Sequence, residues 1–196
     1  MKHQIFLFTY LCISNLYASD ATEFYQSSAG MVDGLTQVTK TVKSKRRTRG
    51  VPSKDLKLLK RGLVRVQALN GEVQVMNLPA VEASINLKIE FDINSYTMKA
   101  ASFVLLEELS KALNSPELVY KKFIIGGHTD SDGSDDDNLT LSLNRARTVK
   151  KHLVKDYSVD SLRLKIVGYG ESLPLAPNNS IDAKQHNRRV EILKLK

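Results

Sequence analysis

Residues 127–145, GHTDSDGSDDDNLTLSLNR, put five aspartates into one loop and follow them with a segment of helical character that carries an arginine. Carboxylates and a guanidinium at this spacing allow four kinds of chemistry: ligation of a hard cation, acid–base catalysis, plain solvation of a turn, or capture of a ligand with both charge signs. A calcium loop of the EF-hand type needs glycine at its sixth position and glutamate at its twelfth. Counted from Asp130, glycine arrives early as Gly133 and the twelfth residue is Leu141. That register fails, and no metal is called for. Catalysis lacks its usual marks, because the chain has no GxSxG, no HExxH and no phosphate-cradling loop. We therefore read the chain as a non-enzyme without a cofactor, and His128 as a residue that locks the loop by hydrogen bonding.

Asp135, Asp136 and Asp137 stand just ahead of a helix that the pattern starts at about Asn138, where carboxylates favour the positive end of the helix dipole and one of them can cap it. Asp130 and Arg145 need more than that. Asp130 falls at a strand end, and Arg145 shares a helix face with Leu141 and Thr148, away from Ala146 and Val149. The two can face one pocket. An aspartate takes an ammonium and an arginine fork takes a carboxylate, which suits a zwitterion; equally, the two can bridge each other.

The elements that must position these groups show in the hydrophobic pattern. Ile85, Leu87, Ile89 and Phe91 alternate with polar residues, which predicts a half-buried strand. Met98, Ala101, Leu105, Leu109 and Ala112 recur at helical steps, with Pro116 beyond the end. Phe123, Ile124 and Ile125 form a second strand that stops at Gly126 and Gly127. The second helix buries Leu139, Ala146, Val149 and Leu153; Leu162, Leu164 and Ile166 then mark a third strand, and Val190, Ile192 and Leu195 a fourth. The expected fold is α/β (α+β), a sandwich with two main helices on one face of a mixed four-stranded sheet. Ahead of it, LVRVQALNGEVQVMNL alternates around Asn70 and Gly71, a pair suited to a type I′ turn, and predicts a hairpin within 63–82.

The first residues have a short positive start, an apolar run and then small residues. This predicts a signal peptide over residues 1–18, and the run is shorter than the ~20 residues a spanning helix needs. Cys12 lies within it, so removal leaves no thiol nucleophile and no disulfide framework. Leu11 before Cys12 does not fit a lipid-modified amino terminus. The net charge of +8 concentrates in the basic segment 40–65, where Asp55 is the single acid. For an exported chain this points to an anionic membrane surface or an envelope protein partner rather than nucleic acid, with a solvated linker as the plain alternative. We read 19–62 as a basic, largely irregular tether.

Gly127-His128-Thr129-Asp130, Gly133, Asn138, Leu141-Ser142, Arg145-Ala146 and Val149 resemble the GHTDxxGxxxxNxxLSxxRAxxV signature of the OmpA-like C-terminal domain, the peptidoglycan-associating module of the OmpA, Pal and MotB type. Gly168-Tyr169-Gly170-Glu171, Pro174, Asn178, Ser180 and residues 187–192, NRRVEI, resemble its closing motifs, and Ile89-Glu90-Phe91-Asp92 its first strand. The resemblance assigns 83–196 to a periplasmic βαβαββ domain that grips the diaminopimelate of the peptidoglycan stem without a covalent bond, peripheral to the outer membrane. It implies that Asp130 and Arg145 hold the amino acid head group, and that Asp92, Asn94, Thr129, Asn138, Leu141 and Arg188 line the pocket. For Arg188 a salt bridge fixing the last strand is the alternative role. The expected function is anchoring of the protein or its partner to the wall, with a homodimer as one arrangement. The alternative is an adaptor whose amino-terminal region binds a protein partner. Ala183 and Lys184 stand where the family usually has glycine and arginine, and the extra aspartates are expected to change affinity without abolishing binding.

Overall fold

A computed structural model describes residues 24–37, 63–67, 72–77 and 80–196. The expected leader, the turn residues Asn70 and Gly71, and the basic residues between 40 and 61 lie outside the described residues.

Alternating apolar residues build one mixed sheet. Its strands are β1 (Leu63–Gln67), β2 (Val73–Asn77), β3 (Val81–Leu87), β4 (Phe123–Gly127), β5 (Leu164–Gly168) and β6 (Val190–Leu195). They lie in the order β2-β1-β5-β4-β6-β3, with β4 parallel to β5 and the other neighbours antiparallel. The four expected strands form the contiguous block β5-β4-β6-β3. The sheet has six strands rather than four, because β1 and β2 pair with each other and Gln67 pairs with Gly168.

Four helices are described: α1 (Ser28–Thr36), α2 (Ser102–Leu113), α3 (Asp135–Lys155) and α4 (Ile181–Asn187). One sheet face carries Ile85, Leu87, Phe123, Ile125 and Ile192 into a core with Leu106, Leu109 and Leu113 of α2, Ala146, Val149 and Leu153 of α3, and Met31 and Leu35 of α1. On the other face Val64, Val66, Ile124 and Leu193 pack with Tyr169.

Several expectations are corrected. Residues 28–36, assigned to an irregular tether, form α1. Its Met31 and Leu35 are buried, Glu108 of α2 accepts a hydrogen bond from Ser28 N–H at 2.8 Å, and Gly34 fits against Ile85 and Tyr25 where a Cβ would come within 2.8 Å of both. β3 ends at Leu87 although the alternation runs on to Phe91; Phe91 instead forms an isolated bridge with Met98, so α2 starts at Ser102. The buried stripe of α2 runs through Leu106, Leu109 and Leu113, leaving Ala101 exposed and Leu105 half-buried. Leu162 stands in a 3-10 turn and is 85% exposed, because Arg163 turns inward to the carbonyls of Leu113, Leu118 and Lys121.

α3 begins at Asp135 with Ser134 as its cap: Ser134 Oγ accepts from Asp137 N–H at 3.1 Å and donates to Asp137 Oδ2 at 2.6 Å. The three aspartates are therefore the first turn of the helix, where the dipole stabilises them. α3 lies directly on the sheet. A Cβ on Gly127 would meet Ser142 O at 2.0 Å, and one on Gly168 would meet Leu139 O and Leu143 N at 2.7 Å. Only glycine allows backbone to approach backbone this closely.

Candidate functional site

Strand directions bring distant segments together. β3, β4 and β5 end, and β6 begins, at the same edge of the sheet, with Gly127 opposite both Gly168 and Val190, and Leu87 opposite Val190. The segments after β3, β4 and β5, the one before β6, and the start of α3 therefore converge. Here Asp130, 7% exposed, ion-pairs through Oδ2 with Arg188 Nη1, and its Oδ1 accepts Asp132 N–H at 3.1 Å. Arg188 also donates to Gln185 Oε1.

Arg145 is 8% exposed. Its Nε donates to Ser95 O at 3.1 Å, and its guanidinium lies over the Phe91 ring, 5.1 Å from the centroid. Among the described residues its two terminal nitrogens have no protein partner. Burial lowers the Arg145 pKa to about 10, the charge of Asp130 works to raise it, and the charge of Arg188 lowers it further. The group is cationic at neutral pH, and its fork is available to a ligand. Asp130 and Arg145 do not bridge each other; Arg188 takes that place.

Asn138 ties the loop together. Its Nδ2 donates to the carbonyls of Asp130 and Asp132 at 3.3 and 3.1 Å and to Glu171 Oε2 at 2.8 Å. Thr129 is buried; its N–H donates to Gly170 O at 3.0 Å, and its Oγ1 has no hydrogen-bond partner. Leu141 is half-buried, one turn from Arg145. Asp92 and Asn94 are exposed, on a turn that reaches the site through the Ser95 carbonyl rather than through their own side chains. Five of the eight expected residues, Asp130, Arg145, Thr129, Asn138 and Arg188, thus cluster around one centre, with Leu141 beside them and Asp92 and Asn94 at the rim.

Three of the four remaining aspartates, Asp132, Asp135 and Asp136, are matched by cations, and Asp137 accepts from Ser134. Lys184 Nζ lies 2.6 Å from Asp132 Oδ1, and Arg65 of β1 lies 3.7 Å from Asp135 and 3.8 Å from Asp136. These solvent-accessible pairs add little stability each. Their consequence is electrostatic: the acidic field at the rim is damped, and an incoming carboxylate meets less repulsion than the bare sequence implies.

His128 is buried away from the pocket. Residues two apart share a face only while a strand continues, and β4 stops at Gly127. The His128 ring stacks on Tyr169 at 5.1 Å, and its Nε2 lies 3.2 Å from Glu191 Oε2. Burial, reinforced by the charge of Arg189 and opposed by Glu191, lowers its pKa from 6.5 to about 4. Burial works against the ionised form of Glu191, yet hydrogen bonding to His128 and the charge of Arg189 outweigh it and hold that carboxyl at about 2. The buried Arg189 donates to Asn86 Oδ1 and Leu173 O, so of the two adjacent arginines one serves the pocket and the other the core. The unfolded chain takes up a proton on His128 near pH 6.5, whereas the folded one resists until about pH 4. Stability is expected to fall as pH drops through that window, with a slope approaching ~1.4 kcal/mol per unit from this residue. Urea melts at stepped pH should show the fall, and His128→Gln should flatten it; an equal slope in both proteins removes His128 as the cause.

The sequence from the end of β3 to the start of β6 matches the model of the OmpA family over residues 90–188. The chain belongs to the OmpA family. It is 35% identical over 124 residues to outer membrane porin F of Pseudomonas aeruginosa, covering 62% of this chain and 35% of that protein. It is 33% identical over 125 residues to the probable lipoprotein YiaD of Escherichia coli, covering 63% and 52%. To the peptidoglycan-associated lipoprotein of Mesorhizobium japonicum it is 31% identical over 126 residues, covering 62% and 72%. This OmpA-family chain thus spans about a third of porin F and about half of YiaD. Among solved structures, the C-terminal domain of Helicobacter pylori MotB has a TM-score of 0.50 at 27% identity, covering 55% of this chain and 82% of that domain. The longer periplasmic domain of the same protein shares the fold at a TM-score of 0.52 and 24% identity, covering 68% and 88%. No helix among the described residues is long and apolar enough to cross a membrane.

Within this OmpA-family site, residue patterns alone missed Phe91 under the guanidinium, the Ser95 carbonyl and Lys184 on Asp132. Phe91 read as a strand residue, and a carbonyl carries no signal of residue type.

Proposed function

We propose that the domain binds peptidoglycan non-covalently through the diaminopimelate of the stem peptide, and so holds itself or a partner to the cell wall in the periplasm. The observation that carries this reading is the buried Arg145, whose terminal nitrogens have no partner among the described residues, beside the buried carboxylate of Asp130. Leaving an arginine fork unpaired inside a fold costs free energy that a ligand carboxylate would recover. The ligand ammonium goes to Asp130, displacing or sharing Arg188, whose side chain is 36% exposed and free to swing outward. Asn138 holds the loop backbone, so the aspartate does not follow it. The name of the Mesorhizobium japonicum relative, a peptidoglycan-associated lipoprotein, supports the same ligand class.

Charge-assisted hydrogen bonds contribute ~1.5–3 kcal/mol each, and association costs ~4 kcal/mol or more. A single stem is therefore held weakly, and retention on the wall comes from rebinding among many identical stems. The full chain should co-sediment with purified sacculi, leave them uncut, and be released by millimolar meso-diaminopimelate. Pelleting that is indifferent to the free amino acid, yet lost on raising salt, would assign the interaction to the basic segment instead.

A further inference from the structure

Two turns meet at the end of the sheet opposite Asp130 and Arg145, where β4 and β5 begin and β6 ends, with Phe123 opposite both Leu164 and Lys194. One is the segment 115–122 that leads into β4, and the other is the 3-10 turn Ser161–Arg163 that leads into β5. The buried Arg163 clips them together. Its Nε donates to Lys121 O at 3.0 Å and its Nη2 to Leu113 O and Leu118 O, both at 2.8 Å, while the guanidinium lies over the Phe123 ring, 5.7 Å from the centroid. Within the turns, Leu118 O accepts from Lys121 N–H at 2.9 Å and Asp160 Oδ1 from Leu162 N–H at 2.8 Å. Two large side chains nonetheless stand out from this support: Tyr120 is 91% exposed and Leu162 85%. A lone exposed apolar side chain is ordinary, but an aromatic and an aliphatic one on adjacent, hydrogen-bonded turns form a patch. Exposed Lys121, Lys122, Lys165 and Lys196 lie on the same turns and strand ends, with Glu117 and Asp160 as the acids among them.

We infer that this pole docks on an anionic lipid bilayer, with Tyr120 and Leu162 entering the interface and the lysines lying among the headgroup phosphates. The inference uses none of the residues around Asp130 and stands apart from the peptidoglycan reading. Three features favour a bilayer over a protein partner. A tyrosine ring and a leucine bordered by ammonium groups match the interfacial zone, where apolar side chains reach acyl chains and each lysine gains attraction from anionic headgroups. Both side chains protrude rather than line a groove, as entry into a soft surface requires. The clipped turns also spare the ordering entropy that a loose loop would lose on insertion.

The chain contains no tryptophan, so Leu162→Trp in the full chain supplies a single reporter. Its emission should shift to the blue on adding vesicles of phosphatidylglycerol and phosphatidylethanolamine, and lipids brominated in their acyl chains should quench it. Ile181→Trp, on an exposed position near Arg188 at the other pole, should keep the spectrum of a wet indole. In chains without the reporter, Tyr120→Ser and Leu162→Ser should each weaken partitioning onto the same vesicles roughly five- to tenfold, with thermal midpoints unchanged. A residue 162 that stays wet, whether the chain is held through its basic segment or not bound at all, overturns the inference. So do equal shifts in the two tryptophan variants, equal shifts on purely zwitterionic vesicles, or serine variants that partition like the wild type.

Discussion

Arg145→Ala is expected to weaken binding to purified sacculi by at least about thirtyfold, the effect of removing one partner from a buried, hydrogen-bonded charge pair. The structure indicates why the loss should be so large. Burial has already stripped most water from the guanidinium, which is 8% exposed, so the fork meets a carboxylate with little further desolvation on the protein side. Arg145→Lys should fail almost as badly, because an ammonium keeps the charge but has no planar Nε to hold Ser95 and no fork for the ligand. Both variants should remain folded, with thermal midpoints lowered by only a few degrees for the lost Phe91 and Ser95 contacts. Sedimentation at a salt concentration that screens the basic segment isolates the pocket. If Arg145→Ala pellets like the wild type there, Arg145 is not the ligand's anchor.

Gly127→Ala should have the largest effect on the fold. A methyl group at this position would stand 2.0 Å from the backbone oxygen of Ser142, and backbone cannot rotate aside as a side chain can. Relief requires α3 to move off β4, which also lifts Asn138 and Arg145 from the site. A loss of about 3 kcal/mol or more is expected, or a fall of ~10 °C in the thermal midpoint. Gly133→Ala provides the comparison: nothing lies within 4 Å of its Cβ position, although its φ of 94° imposes a local strain. A Gly127→Ala protein that melts with the wild type would mean that helix and strand are less closely seated than described.

The sequence announced the sheet well where apolar and polar residues alternate, as in β3, and the long α3 through Leu139, Ala146, Val149 and Leu153. It misled where alternation outlasted the strand. The polar residues Lys88 and Glu90 keep the rhythm going past Leu87, but the chain turns there, and the bridge from Phe91 to Met98 is set by tertiary packing. α1 was hidden for the opposite reason. SAGMVDGLT contains two glycines and little apolar surface, so intrinsic propensity does not favour a helix. Docking supplies what propensity lacks, through Met31 and Leu35 in the core and the Glu108 carboxylate on Ser28. In the site, residue types alone left Asp130 and Arg145 as partners of each other or of a ligand. The contacts that take the place of a direct bridge, Arg188 on Asp130 and Ser95 on Arg145, join residues 58 and 50 positions apart and leave no local trace.

Phe24 joins the sheet by bridging Asn86, one residue from the end of β3, whereas the last residues of β6 leave at the opposite end, beside Val81 and Ala80. Phe24 therefore lies at the same pole as the site around Asp130 and Arg145. If the site holds a murein stem as proposed, a pull between Phe24 and that ligand would act across this pole and not along the length of the strands. The helix next to that load is α1, which follows Phe24 and is seated on β3 and α2 through the buried Met31 and Leu35.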